Sequence, residues 1–244
     1  MRVRVLRVLR VLQVIKSTDM GKHWVGASNG LFHTNVHSLI ILDDKGDHVF
    51  CGTKGGVYET TDGAASWKLI PNTPFCLGLT NGTIGGVPHI ICGAKGGIYN
   101  VPTANTAAGQ WSVIPTPENV SGFDTTYIST ADSDPTHAQN SVVGGCLINS
   151  SGARFAHIAT VTSKTAASWE AFPNMSCIDL ALDPNDAGHF VLVRITRGLH
   201  VWETTDGGAS FHSLGKNEIY HIGIDRQGWL YTAVRRDAFS LVPL

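Results

Sequence analysis

Apolar positions in this chain come in short runs, some continuous and some alternating with polar residues, and each run is closed by Gly, Asp or Pro. That punctuation predicts the strands of an antiparallel meander. No segment sustains a helical period with capping residues, so the pattern predicts little helix. Three kinds of run recur. SLIILDDKG from Ser38, CIDLALDPND from Cys177 and HIGIDRQG from His221 are apolar strands that end in an Asp-containing turn. VFCGTKGGVYET from Val49 and IICGAKGGIYNV from Ile90 align almost residue for residue, and HFVLVRITRGLHVWET from His189 is a diverged third copy. WKLIP from Trp67, WSVIP from Trp111, WEAFP from Trp169 and FHSLG from Phe211 are short strands opened by an aromatic. One unit therefore reads as strand, Asp turn, strand, Gly-rich turn, strand, Asp turn, strand.

The last of those turns carries a motif. It reads STDMGKHW from Ser17, TTDGAASW from Thr60 and TTDGGASF from Thr204, with weaker copies TANTAAGQW ending at Trp111 and TSKTAASW ending at Trp169. The closing aromatics Trp24, Trp67, Trp111, Trp169 and Phe211 are 43, 44, 58 and 42 residues apart. A period of about 40–45 residues is that of one four-stranded propeller blade. The expected fold is therefore an all-β propeller of four-stranded antiparallel blades. The long interval needs an insertion, placed around Ser129 to Asn140. The N-terminus supplies the end of a blade and the C-terminus the beginning of one. Pairing them would close a ring without exposed edges, which favours five blades, with six as the alternative. Residues 1–13 read as a low-complexity extension or first strand, and residues 14–244 as a single domain.

The motif's chemistry is that of a turn. A short Asp carboxylate accepts N–H groups of its own turn, the following glycines permit positive φ, and the aromatic fills space between sheets. Asp19, Asp62 and Asp206 sit at one place in three different repeats, spread around a ring, whereas a general acid/base pair needs separations of about 5–10 Å. These aspartates, with Trp24, Trp67, Trp111, Trp169 and Phe211, are read as structural. Lys164 and the copy before Trp111 lack the Asp but keep the aromatic, which makes packing the less dispensable part.

Composition narrows the classes. A net charge of −1 on 244 residues argues against a nucleic-acid partner, which needs a concentrated basic surface. No apolar run is long enough to span a bilayer. Five cysteines, Cys51, Cys76, Cys92, Cys146 and Cys177, include no CxxC pair or zinc spacing. They are read as buried strand thiols, with Cys76 and Cys92 as a conceivable pair. The opening MRVRVLRVLRVLQVIK has arginines and no acid, as organelle-targeting segments do, but it runs directly into the first repeat and lacks the apolar stretch and cleavage site of a secretory signal. It is read as a strand with its start, and the compartment stays open.

The pattern S/T-x-D-x-G-x-x-W resembles the Asp-box, or BNR, repeat family, from about Val14 to the C-terminus. That resemblance implies a β-propeller with the boxes on its outer rim. The family includes sialidases, xyloglucan-degrading endoglucanases, sortilin-type receptors and photosystem II assembly factors, and GGVYETTDGAASW is most similar to the last. Sialidases share an Arg-Ile-Pro segment and an arginine triad; here Arg194-Ile195-Thr196 lacks the Pro, and no residue carries over.

Other candidates point to turns. Asp43, Asp44, Asp183 and Asp225 recur where the first strand of a unit ends, a turn signature. His33 and His37 lie in strand and loop, so no metal site is expected, and no phosphate loop or nucleophile elbow occurs. The sequons at Asn81, Asn119, Asn149 and Asn174 matter only for a secreted eukaryotic protein. No cofactor is expected. The favoured reading is a non-catalytic scaffold whose disc faces contact a protein partner. The alternative is a glycan-binding or glycoside-cleaving propeller, in which Trp202, Trp229 and Tyr231 stack on sugar rings; the plainer reading packs Trp202 and Trp229 between blades.

Overall fold

The computed structural model describes residues 5–9, 13–76, 78–118, 120–132, 140–149, 151–196, 198–216, 219–234 and 239–243. Their strands form six antiparallel sheets that follow one another along the chain. The first holds β1 (Val5–Leu9), β2 (Gln13–Ser17) and β3 (Val25–Gly26). The second holds β4 (Val36–Ile41), β5 (Val49–Thr53), β6 (Gly56–Thr60) and β7 (Lys68–Leu69). The third holds β8 (Gly78–Ile84), β9 (Val87–Ala94), β10 (Gly97–Pro102) and β11 (Ser112–Pro115), with a 3₁₀ helix (Thr103–Ala108) before β11. The fourth holds β12 (Val120–Asp132), β13 (Ser141–Asn149), β14 (Arg154–Ser163) and β15 (Ala166–Phe172). The fifth holds β16 (Cys177–Asp183), β17 (Asp186–Thr196), β18 (Gly198–Thr204) and β19 (His212–Lys216). The sixth holds β20 (Ile219–Ile224), β21 (Trp229–Val234) and β22 (Phe239–Pro243).

Within each sheet the strand order is the chain order. The first strands β4, β8, β12, β16 and β20 lie against one another in succession. This is a β-propeller, with β4, β8, β12, β16 and β20 innermost and the Asp-motif turn toward the rim. Among the described residues no pairing joins β1–β3 to β20–β22. The two ends contribute separate three-stranded sheets, where sharing of one blade had been expected.

Side-chain alternation explains how the sheets stack. Val49 and Cys51 of β5 enter the core shared with the first sheet, while Phe50 between them enters the core shared with the third. Ile90 and Cys92 of β9 face the second sheet and Ile91 faces the fourth. Leu180 and Leu182 of β16 face the fourth sheet and Ala181 faces the sixth. Every described seam is thus built from two consecutive sheets, each strand serving two cores through its period of two.

The expectation that all cysteines are free thiols is overturned at two of them. Cys146 of β13 and Cys177 of β16 form a disulfide, Cα–Cα 5.8 Å, that staples the fourth sheet to the fifth. Both side chains face that seam, a matter of register that spacing alone does not reveal. Cys51, Cys76 and Cys92 are buried and unpaired with disulfides. Cys76 and Cys92 share the seam between the second and third sheets, and burial beside Cys92 pushes the Cys76 thiol well up. Within the expected insertion, β12 continues to Asp132 paired with β13, and residues 133–139 lie outside the described residues.

Candidate functional site

The three full motif copies share one bonding pattern. The hydroxyl of Ser17, Thr60 or Thr204 donates to the Oδ1 of Asp19, Asp62 or Asp206 at 2.8, 2.7 and 2.7 Å. The same oxygen accepts the backbone N–H four residues on, from Gly21, Ala64 and Gly208. Each Asp Oδ1 accepts the N–H four residues after it, from His23, Ser66 and Ser210. Its Oδ2 takes the Ser66 or Ser210 hydroxyl at 2.6 Å, or the His23 ring. Hydrogen bonds to the charged form lower a carboxyl pKa. Asp19 is held at about 2, chiefly by the His23 N–H and ring, and Asp206 at about 2, chiefly by Ser210; Asp62 is held well below the usual range, chiefly by Ser66. The two residues after each Asp take left-handed backbone whether or not they are glycine, with φ of 63° at both Met20 and Ala64. Where the Asp is missing the turn changes: the third sheet uses the 3₁₀ helix and Gly109, and the fourth a tight β14–β15 connection.

The closing aromatics reach the preceding sheet. Trp67 is buried and its indole N–H donates to the Ala27 carbonyl at 2.7 Å; Trp111 makes the equivalent bond to Pro71 at 3.2 Å. Trp169 packs against the seam between the third and fourth sheets, and Phe211 against the next, in edge contacts with Phe172 and Phe190. Trp24 bonds within its own turn, to Gly21.

A second acidic set lies at the same end of the disc. Asp43, Asp183 and Asp225 each accept N–H groups of their own turn, from Lys45, Asn185 and Gln227 among others. Two His–Glu pairs escaped the sequence reading: His48 Nε2 with Glu59 Oε1 at 2.8 Å, and His189 Nε2 with Glu203 Oε1 at 2.9 Å. The signal was present, since His and Glu occupy matching places in two aligned repeats, but only register shows them facing across strands. Glu59 also accepts the Thr106 hydroxyl, at 2.7 Å, and Glu203 meets His212. A cleft of about 340 Å³ lies beside Glu59 and Asp62, and both carboxylates there accept hydrogen bonds from their neighbours. Asp179, also missed, is buried on β16, where it accepts the Ile222 N–H of β20 at 3.0 Å; burial pushes its carboxyl up.

The opposite end has another character. In an antiparallel meander, alternate turns lie at opposite ends of the sheet. The turns after the first and third strands of the four-stranded sheets hold Asp43, Asp44, Asp47, Asp62 and Asp206, with Asp183 at the edge of another, and also exposed Lys45 and Lys164. The second-to-third turns hold exposed Lys54 and Lys95, with exposed Arg154 beside a third. The crossings between sheets, at that same end, expose Phe32 (87%) and Phe75 (44%). Among the described residues of these turns and crossings, Glu118 is the acid.

The aromatics considered for stacking differ. Trp202 is partly buried against the seam of the fourth and fifth sheets, with the Arg194 guanidinium 5.2 Å from its ring centre. Trp229 is 42% exposed, correcting the expectation that it packs between blades: Leu230 takes the seam and Trp229 alternates away from it. Tyr231, on that same face, donates to Asp225 Oδ2 at 2.6 Å.

No family model and no curated protein matches the sequence. Solved structures do match. An ancestral GH74 enzyme aligns with TM-score 0.66 and 15% identity over 98% of this chain and 34% of its own, so this chain spans about a third of its length. YCF48 from Cyanidioschyzon merolae aligns with TM-score 0.63 and 13% identity over 94% of this chain and 76% of its own. YCF48 bound to D1 peptide aligns with TM-score 0.56 and 15% identity, covering 90% of this chain and 68% of its own. These likenesses establish the β-propeller fold.

Proposed function

We propose that this chain is a non-catalytic Asp-box propeller scaffold that holds a protein partner on the end of its disc bearing the Gly-rich turns. One observation carries the reading: that end combines exposed Lys54 and Lys95 with exposed Phe32 and Phe75. Exposed aromatics set among cations suit a protein surface better than a small polar substrate. The opposite end's carboxylates are spent on their own turns, which supports a structural role for Asp19, Asp62 and Asp206 and for the aromatics that follow them. The structure of YCF48 bound to D1 peptide speaks for what such a fold can hold. Residues 14–244 are read as one domain, to which 1–13 adds the first strand.

A photo-crosslinking amino acid at Phe32, compared with one at Ser66 on the other end, tests this. Crosslinking at position 32 to a protein that then forms a stable complex with the purified chain is expected. Crosslinks only at position 66, or turnover of a sugar substrate without any complex, would refute it.

A second reading is a glycan-binding or glycoside-cleaving propeller. It draws on half-exposed Trp229 and Tyr231 and on the likeness to a GH74 enzyme. Binding on a glycan array that Trp229→Ala abolishes would favour it; no binding, together with inert sialoside and xyloglucan reporters, would remove it.

A further inference from the structure

We propose that Arg194 and Trp202 form a subsite for a carboxylate carried by an acidic segment of the protein partner. The proposal rests on the scaffold reading and names one place where the partner is gripped. Arg194 lies near the end of β17 and pairs with His200 of β18, so it sits at the disc end that carries Lys54 and Lys95. Its guanidinium carbon lies over the Trp202 ring, 5.2 Å from the ring centre, within cation–π reach.

The hydrogen-bond account is unbalanced there. Arg194 Nε and Trp202 Nε1 are buried and have no partner among the described residues. Buried N–H groups are ordinarily satisfied, and both orphans are donors, so what they lack is an acceptor. Beside a permanent cation the fitting acceptor is an anion, and a carboxylate matches the planar fork. The carboxylates of the same sheet are taken, Asp186 by the Gly188 N–H and Asp206 within its own turn. Glu203 is held by His189 and His212, Asp183 by His189 and the Asn185 N–H, and Asp179 by the Leu180 and Ile222 N–H groups. The backbone of neighbouring Ile195 is pinned at both its N–H and its carbonyl by Ser176, which keeps the strand end rigid, and the Ile195 side chain is exposed for an apolar neighbour of the acid.

The test uses the full chain and two fluorescein-labelled peptides, one alternating Glu with Leu and one alternating Gln with Leu, read by anisotropy. The Glu peptide should bind and the Gln peptide should not. Arg194→Gln should weaken binding by about tenfold or more, as loss of a charge-assisted bond predicts. Arg194→Lys should also weaken it, since a lysine keeps the charge but loses the fork. Trp202→Phe should weaken it less while far-ultraviolet circular dichroism and melting stay those of the parent, which separates the missing N–H from a folding defect. Lys45→Gln, at the other end of the disc, should change nothing. Glu-peptide affinity unaltered in both Arg194 variants overturns the subsite, and leaves the scaffold reading standing if crosslinking at position 32 still captures its partner. Saturable binding of 3′-sialyllactose without peptide binding overturns it in favour of a sugar carboxylate.

Discussion

Trp67 is where the stacking of sheets can be tested most directly. Its ring is 3% exposed, in the core between the first and second sheets. Its indole N–H donates to Ala27 and its backbone N–H to Asn29, at 2.7 and 2.8 Å, both acceptors lying in the crossing that leaves β3. One residue of the second sheet therefore grips the first. Trp67→Ala removes the ring, which costs about 3–5 kcal/mol for a well-packed core aromatic. It also leaves the Ala27 carbonyl without its partner, worth about 1–3 kcal/mol if no water reaches it. A total near 5 kcal/mol is a large share of the about 5–15 kcal/mol that holds a domain together. Trp67→Phe keeps most of the burial and loses the N–H, so about 1–2 kcal/mol is expected. Trp111→Ala should fall between, because its ring is only partly buried and its bond to Pro71 is longer, at 3.2 Å. Urea unfolding followed by far-ultraviolet circular dichroism measures all three without relying on the tryptophan emission being removed. A Trp67→Ala variant within about 1 kcal/mol of the parent would refute the packing account. If Trp67→Phe were as damaging as Trp67→Ala, the bond rather than the ring would be what joins the sheets.

The other expectations are more local. Replacing Cys146 and Cys177 by serine, whose link spans a sequence separation of 31, should cost about 4 kcal/mol by loop-closure entropy, and reductant should lower the parent's melting point toward the variant's. Met20→Gly should raise stability by up to about 1 kcal/mol because Met20 is exposed with φ 63°, whereas Gly30→Ala should destabilise, since a Cβ there would lie 2.3 Å from the Trp67 carbonyl oxygen at φ +86°. Asp19 and Asp206 are held at about 2, against an ordinary 3.8, so the folded state takes up their protons less readily than the unfolded chain. Their contribution is complete above about pH 4 and lost as pH falls through about 2. A melting-temperature series over that range should fall more gently in Asp206→Ala than in the parent; parallel curves would contradict it.

What was legible in the sequence was what is local. The Asp turns close within eight residues, from Thr60 to Trp67, so spacing alone indicates their bonds. Strands and their order followed from the same punctuation. What escaped depends on which face a residue takes and what it meets there. Cys146 and Cys177 lie on different sheets, and only the register that turns both toward one seam allows the bond. His48 and Glu59, or His189 and Glu203, are visible as repeated letters, yet their meeting needs the β5–β6 and β17–β18 pairings. Trp229 follows the same apolar pattern as its neighbours, and only the position of β21 in the last described sheet leaves its ring half exposed. The weak motif copies announced that a turn existed without announcing its kind, because losing the Asp frees the backbone to close as a 3₁₀ helix or as a short strand connection.

The repeated turn also bears on where function lies. Each full copy requires a carboxylate, because backbone N–H groups converge where the Asp oxygens sit. The Asp turns after β4, β16 and β20 repeat that demand at the same end. Repetition therefore gives one end of the disc a set of turn carboxylates for reasons of folding, with exposed Lys22, Lys45, Lys164 and Arg226 set among them. The Gly-rich turns at the other end impose no such demand, and their exposed positions carry Lys54 and Lys95. A net charge of −1 conceals this division. Charges already committed to turns have little left to offer a partner, whereas solvated lysines beside exposed phenylalanines attract acidic surfaces from a distance and anchor them on contact. The regularity that builds the blades thus turns the search for a partner to the end that the Asp motif does not occupy.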